Sequence, residues 1–364
     1  MAAPQPQVES PIRYHPRVSR NDGKDAKPAV SIHDVAVAAR VSIATVSRVM
    51  NNPKLVSPKT AARVQEVITQ IGYVPNPFAQ GLMTRASRVL GIALPDIHGE
   101  FYSELLRGAD AESRRLGYHL LVSSEPRADE VDHRGLAFGL IDGLAVMITN
   151  PDAALVKMAQ SSAMPTVVID LDLHERGMDA VLIDSEPGTR EAVKHLLESV
   201  EAGKIYFVGG PSDNFDTQQR AKAFAAALTD AGHSPRGDQV TFGTYTSEWG
   251  REWTNKVLAP AGVRATGGTG AVGVLAGNDE IAIGIVQAAG DCGLSVPGDV
   301  RVVGFDDTRI AQLIRPRLTT VRVPMSEVGA AAVRLLVKRV EDPDAESTCL
   351  RLPTGLVVRE SSRV

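Results

Sequence analysis

The chain has 364 residues, 43% of them hydrophobic, and a formal net charge of −4, a size that points to two or three domains. It contains no run of about 18 apolar residues and no apolar export-signal core near the N-terminus, so a soluble, cytoplasmic chain with no membrane partner is expected. Its 2 cysteines, Cys292 and Cys349, stand far apart with no His or Cys at ligand spacing, so neither a disulfide framework nor a zinc site is implied.

Residues 1–28 are rich in Pro, Ala, Gln and charge without an apolar period, and are expected to be a disordered leader. From Ser31 the sequence SIHDVAVAARVSIATVSRVMNN then reads as two short helices joined by a tight turn. Ser31 caps the first, whose inward stripe is Ile32, Val35, Ala36 and Ala39; Val41 plugs the turn and Ser42 caps the second. In that second helix Val46, Val49 and Met50 face inward, leaving Ile43, Ala44, Thr45, Ser47, Arg48 and Asn51 outside. A helix that enters the major groove of DNA needs such short groups near its N-terminus and an Arg or Asn to pair with base edges, although a helical hairpin in a core also fits this stretch. Ser57-Pro58 opens a third helix through Ala61, Val64, Val67, Ile68 and Ile71, which stops at Gly72. Asn76-Pro77 starts a fourth over PNPFAQGLMT, so short that it forms only when something holds it.

Through VSIATVSRVMNN, VSPKT and GYVPNPFAQGL, in order and at matching spacing, the chain resembles the LacI/GalR family of bacterial transcription regulators. The resemblance implies that Ser42, Ile43, Ala44, Thr45, Ser47, Arg48 and Asn51 belong to a major-groove helix, and that Ser57, Thr60, Tyr73 and Asn76 contact phosphates or groove edges. It also implies that Ala79 and Leu82 lie on a hinge helix that folds against its dimer mate in the minor groove and wedges a leucine between base pairs, a kink costing roughly a few kcal/mol per step. Leu82 reads equally as an ordinary apolar helix position. Arg40 occupies a turn position where the family more often has Gly or Asn, and a left-handed backbone there costs about 1 kcal/mol.

Charge is divided unevenly along the chain. Residues 1–88 hold 12 Lys and Arg against 5 Asp and Glu, whereas the remainder holds 27 against 38. The basic part carries the helix-turn-helix, as phosphate attraction requires, and the acidic remainder suits a sensor or dimerisation body.

From Val89 apolar strands alternate with amphipathic helices. Strands are expected at VLGIALP, YHLLVSS, GLAVMIT, PTVVID, AVLID, KIYFVGG, AVGVLAG and VRVVGFDD, with helices at 101–117, 188–199, 217–231 and from Asp279. Such alternation builds doubly wound parallel sheets, and roughly 275 residues suit two lobes better than one. The resemblance, which extends to periplasmic sugar-binding proteins, implies two similar lobes crossed three times: first near Ser185 to Gly188, then by the helix at 325–341 returning to the first lobe, and last by a strand around Leu350 to Val358 rejoining the second. The expected organisation is therefore a leader (1–28), an all-α helix-turn-helix headpiece (29–75), a hinge helix and linker (76–88) and an α/β core (89–364). Within that core, lobe 1 covers about 89–187 and 321–343, and lobe 2 about 188–320 and 347–362.

Ligands of open parallel sheets bind beyond the carboxyl ends of strands. Those ends offer Pro95-Asp96, Ser123-Ser124, Thr149-Asn150, Asp170, Gly209-Gly210-Pro211, Asn278-Asp279 and Asp306-Asp307, an acid-rich cleft suited to vicinal hydroxyls. Phe101, Tyr102 and Tyr245 are aromatics able to stack on a sugar or base. By position the family's effector contacts fall on Arg220, Asp279 and Asp170, with Tyr245 as the aromatic wall; Ser124 and Asn278 complete the candidate set. Asp279 also reads as a helix cap, Arg220 as a surface residue and Phe101 as core. Trp249 and Trp253, i to i+4 on one helix, read as packing, with Trp249 and the stretch VEAGK at 200–204 departing from the family pattern.

A nicotinamide-dependent or sugar-metabolising enzyme is the natural rival. GTGAVG at 268–273 does spell GxGxxG, but it precedes a strand instead of opening a helix, and neither a GxSxG elbow nor a Walker A motif occurs. The expectation is a cofactor-free, non-enzymatic repressor that binds a palindromic operator in double-stranded DNA as a homodimer. Its small-molecule effector is expected to be a sugar or sugar derivative. A nucleoside or purine acting as co-repressor is the alternative, and nothing in the sequence chooses between induction and co-repression.

Overall fold

The computed structural model describes residues 30–73, 86–124, 140–149, 164–260 and 270–363. The leader and the hinge positions Asn76, Ala79 and Leu82 lie outside the described residues, as does the side chain of Asn51. The chain divides into two compact units, Met1–Ala79 and Gln80–Val364.

In the first unit, α1 (Ile32–Ala39), α2 (Ile43–Asn51) and α3 (Pro58–Ile71) pack about Val35, Ala36, Ala39, Val46, Val49 and Val64. Their ends are set locally. Ser31 and Asp34 form a reciprocal capping box on α1, Ser42 caps α2 through the Thr45 amide at 3.2 Å, and Ser57 caps α3, with Pro58 at its first position. Each such cap contributes about 1 kcal/mol. Arg40 takes the left-handed conformation that the turn demands, φ 51° and ψ 50°, so the chain accepts the cost of a non-glycine residue there.

The second unit holds two six-stranded sheets. The first contains β1 (Val89–Leu94), β2 (His119–Ser124), β3 (Gly143–Met147), β4 (Thr166–Ile169), β5 (Asp179–Asp184) and β11 (Cys349–Pro353), in the order β11-β5-β4-β3-β1-β2. The second contains β6 (Ile205–Gly209), β7 (Val240–Phe242), β8 (Val272–Ala276), β9 (Val300–Asp306), β10 (Thr319–Arg322) and β12 (Gly355–Val357), in the order β12-β10-β9-β8-β6-β7. The orders correspond strand for strand, and every pair is parallel except β10 with β12. Strands β3, β4 and β8 are buried along their whole length, which is why they read as unbroken apolar runs instead of alternating ones.

Among the described residues, the helices of the core are α4 (Gly99–Arg115), α5 (Ser185–Leu197), α6 (Phe215–Asp230), α7 (Ser247–Trp253), α8 (Asp279–Asp291), α9 (Arg309–Leu313) and α10 (Met325–Glu341). Two helix pairs touch backbone to backbone through glycine. A methyl on Gly108 would lie 1.8 Å from the Ser326 carbonyl oxygen, joining α4 to α10, and one on Gly284 would lie 2.0 Å from the Ser247 carbonyl oxygen, joining α8 to α7.

The chain crosses between the sheets after β5, after β10 and at Thr354. The last crossing corrects the sequence reading: Cys349–Pro353 pairs with β5 in the first sheet, and only Gly355–Val357 joins the second. A single apolar stretch interrupted by Pro-Thr-Gly carries no signal for which sheet edge each half will meet. Thr354 also ties the crossings together, because its hydroxyl donates to the Asp184 carbonyl at 2.7 Å and accepts from the Gly188 amide at 3.1 Å.

Candidate functional site: a DNA-facing helix and an interlobe cleft

In the headpiece, α2 buries Val46 and Val49 and exposes Ser42, Ile43, Ala44 and Arg48, with Thr45 and Ser47 half-buried at the edge of that face. Ile43, 43% exposed, is an apolar side chain that the headpiece core leaves uncovered. Ser42 and Ser57 are engaged locally as caps, their hydroxyls lying 2.9 Å from those of Thr45 and Thr60. Tyr73 packs its ring on the headpiece core. Arg40, Arg48, Lys54, Lys59 and Arg63 are all exposed, against only Asp34 and Glu66 within the described headpiece residues, so this unit presents a cationic surface.

The second unit contains a cleft of about 360 Å³ between the lobes, within the size range of small-ligand sites. Phe101, Tyr102, Arg220, Tyr245, Asn278 and Asp279, all effector candidates from the sequence, line it. Tyr245 is held by its hydroxyl, 2.6 Å from that of Thr217, and its ring fits only because position 210 is glycine: a methyl there would stand 2.6 Å from the ring. Burial pushes the Tyr245 phenol up to about 12. Phe101 and Tyr102 meet edge to face at 5.2 Å.

Arg220 is 4% exposed. Its guanidinium stacks 3.9 Å from the Phe305 ring centroid and donates to the Gly277 carbonyl at 2.6 Å, while its Nε has no hydrogen-bond partner among the described residues. Burial works against its charge, but Tyr245, Asp216, Asp306 and Asp170 outweigh that and hold its pKa above the ordinary value.

Three candidate residues stand differently from the sequence reading. Asp279 touches the cleft, yet its carboxylate is committed inside its own lobe: it accepts from the Thr308 amide at 2.7 Å, the Thr308 hydroxyl at 2.8 Å and the Thr320 hydroxyl at 2.6 Å. It is therefore a brace joining α8 to β10 and the loop after β9. Nor is it the helix cap, which is Asn278, whose Oδ1 accepts from the Ile281 amide at 2.9 Å. Burial pushes the Asp279 carboxyl up to about 7 despite those three donors. Ser124, at the end of edge strand β2, is exposed and is not part of the cleft wall. Asp170 lies behind the wall, 2% exposed, where burial and then Asp216 drive its carboxyl well above the usual range against the pull of Arg220.

Two further acids stand outside the candidate effector set: Asp306, named from the sequence only as one of a strand-end pair, and Asp216, not named at all. Both line the cleft, at 8% and 9% exposure. The strand-end rule picks out Asp306-Asp307 as a pair without separating its members. Asp307 turns away to Arg322 at 2.7 Å and Arg359 at 2.5 Å, whereas Asp306 faces the cleft, its carboxyl raised by burial and opposed by Arg220. No signal marks Asp216, which sits inside the first turn of α6. Asp170 and Asp306 end the corresponding strands β4 and β9 with φ of 71° and 111°, a conformation that non-glycine residues rarely adopt and that concentrates at functional sites.

The described part of the GxGxxG run lies at a strand and does not open a helix. Gly270 and Gly273 run into strand β8, so no helix N-terminus meets them. Trp249 packs as expected, donating to the Gly209 carbonyl at 3.0 Å outside the cleft wall.

The family model for bacterial regulatory proteins of the lacI family matches residues 31–76, and that for a periplasmic binding protein-like domain matches residues 193–362. Catabolite control protein A of Priestia megaterium is 32% identical, over 92% of this chain and 99% of that protein. The chain belongs to the LacI family. Like those relatives, this LacI-family protein is a DNA-binding transcription regulator and not an enzyme. Among solved structures it is similar to the lac repressor dimer bound to operator and an anti-inducer, at 25% identity and a TM-score of 0.81 over 92% of this chain and 99% of that one. It is also similar to the transcriptional regulator CelR in complex with cellobiose, at 28% identity and a TM-score of 0.68 over 91% and 99%. Among the described residues of this LacI-family chain, no helix is long and apolar enough to cross a membrane.

Proposed function

We propose that this regulator is a cytoplasmic repressor that binds a near-palindromic operator as a homodimer and responds to a carbohydrate held in the interlobe cleft. The observation that carries the reading is the cleft itself, where an aromatic wall of Phe101, Tyr102 and Tyr245 faces Arg220, Asp216 and Asp306. A flat apolar surface beside bidentate oxygen acceptors and a guanidinium is the chemistry that holds a ring bearing vicinal hydroxyls. The similarity to an operator-bound repressor dimer and to a cellobiose-bound regulator supports it. One α2 helix reads only a few base pairs, so two-fold symmetry doubles the site. Of the expected DNA contacts, Ser42, Ile43, Ala44, Thr45, Ser47, Arg48 and Asn51 form the reading helix, Ser57, Thr60, Tyr73 and Asn76 the flank, and Ala79 and Leu82 the hinge.

A ligand that binds the two lobe arrangements unequally shifts operator affinity by that difference, typically about 1–3 kcal/mol, and operator shifts ligand affinity by the same factor. Two interlobe contacts at the cleft are placed to respond: the Phe215 amide donates to the Thr149 carbonyl at 2.8 Å, and the Arg309 amide to Glu100 at 2.5 Å. The test is calorimetric titration of mono- and disaccharides into the protein with and without operator DNA. Unequal affinities are expected; equal ones would mean that the cleft does not regulate the headpiece.

A further inference from the structure

Counted in their ionised forms, the acids at the cleft outnumber the bases. Asp216 and Asp306 on its wall, with Asp170 buried behind them, gather around one guanidinium, Arg220, which is already engaged with the Gly277 carbonyl and the Phe305 ring. Asp306 is more than nine-tenths buried and its carboxylate accepts no hydrogen bond from any described residue, yet it lies on the cleft wall. At the mouth Glu280 adds a further carboxylate, whose neighbours Glu248 and Asp96 are also acidic. Among the described residues, the other basic side chain on the wall is His98, which lies against Asp96 and is 91% exposed. A neutral polyol can fill the lone pairs of these acids but brings no charge to them.

From this imbalance we infer that the effector carries a protonated amine, seated against Asp306 and Asp216, and that its chemical class is the amino sugar. The inference rests on the proposed effector site and refines its ligand. An ammonium on a hexose ring supplies three donors to the Asp306 carboxylate and its neighbour Asp216, while the remaining hydroxyls meet Arg220 and the aromatic wall. Burial holds Asp306 and Asp170 well above the ordinary carboxylate range, and a cation at the floor removes the penalty on their charged forms. N-acetylation of the same sugar removes the charge while keeping the ring.

The experiment uses the full chain and matched ligands at pH 7: D-glucosamine with D-glucose and N-acetyl-D-glucosamine, and D-galactosamine with D-galactose and N-acetyl-D-galactosamine. Thermal shift and calorimetric titration are run on each. The amine of at least one set is expected to bind about ten-fold tighter than both of its neutral partners, by a margin that narrows in high salt. In the paired change Asp216→Asn with Asp306→Asn, that margin should collapse. A neutral partner that binds as tightly as its amine overturns the inference, as does a panel in which no amine raises the melting temperature or a margin that survives the paired change. Operator affinity measured on the same samples separates the two readings. A neutral sugar that shifts operator binding preserves the regulator and refutes the amine, whereas an amine that binds without shifting it does the reverse.

Discussion

Replacing Asp279 by Ala should damage the fold of the core, and the damage should depend on pH in a direction the burial of this carboxyl dictates. The side chain is 1% exposed and accepts three hydrogen bonds, from the Thr308 amide and from the hydroxyls of Thr308 and Thr320. Removing it strands three donors, and at about 1–3 kcal/mol for each buried group left unpaired the penalty near pH 4 is at least about 3 kcal/mol. The folded carboxyl titrates near 7, above its ordinary value of 3.8. Its contribution is therefore fully present below the unfolded value and is lost as pH rises through the folded one, by roughly 4 kcal/mol in all. The penalty of Asp279→Ala should thus be largest near pH 4 and shrink towards pH 8. Asp279→Asn, which imitates the neutral acid and can keep all three bonds once the Thr320 hydroxyl turns, should melt near the parent at pH 4 and above it at pH 8. Melting curves of the three proteins between pH 4 and pH 8 supply the assay, each kcal/mol being worth about 2–4 °C in a domain of this size. A penalty that grows with pH would refute the reasoning, because it would mean that the three donors outweigh burial. Unchanged melting together with lost ligand binding would make Asp279 a ligand contact after all.

Asp306→Gly should relieve the φ of 111° and raise the melting temperature of the core by a few degrees, a gain of about 1 kcal/mol after the entropy of glycine is counted, while weakening effector binding. A drop in melting temperature would show that the carboxylate is needed for folding. Gly108→Ala, whose methyl would lie 1.8 Å from the Ser326 carbonyl oxygen, should separate α4 from α10 and cost about 1–3 kcal/mol or more in denaturant titration; an unaffected midpoint would mean that the helices shift freely. Arg48→Ala should weaken binding to the cognate operator more than binding to random DNA, by about 1–3 kcal/mol if the side chain pairs with a base edge. An equal loss on all sequences, with a lower salt slope, would make it a phosphate contact.

The headpiece was legible because its determinants are local. Ser31, Ser42 and Ser57 cap helices whose inward stripes recur every three or four residues, and Pro58 and Gly72 mark where α3 begins and ends. The alternation of strands and helices likewise named the core's architecture, and the strand-end rule found the cleft before any contact was known. Arg220 and Tyr245 were placed there by their position in the family pattern, and Asn278 by its place at a strand end.

What the sequence could not decide was which of several similar side chains would face the ligand. Asp279 and Asp306 both stand at strand ends with hydroxyl-bearing neighbours. Only packing shows that Thr308 and Thr320, 29 and 41 residues beyond Asp279, converge on it and leave Asp306 bare. Asp216 has no periodic or motif signal, since an acid in the first turn of a helix is common for reasons of dipole alone. The division of the final apolar stretch between two sheets, and the exclusion of Ser124 from the cleft, also depend on which edges are free once the lobes have formed. Local propensity and period fix elements within a few residues of their determinants. The orientation of a carboxylate is fixed by partners brought from far along the chain, and that information exists only in the folded molecule.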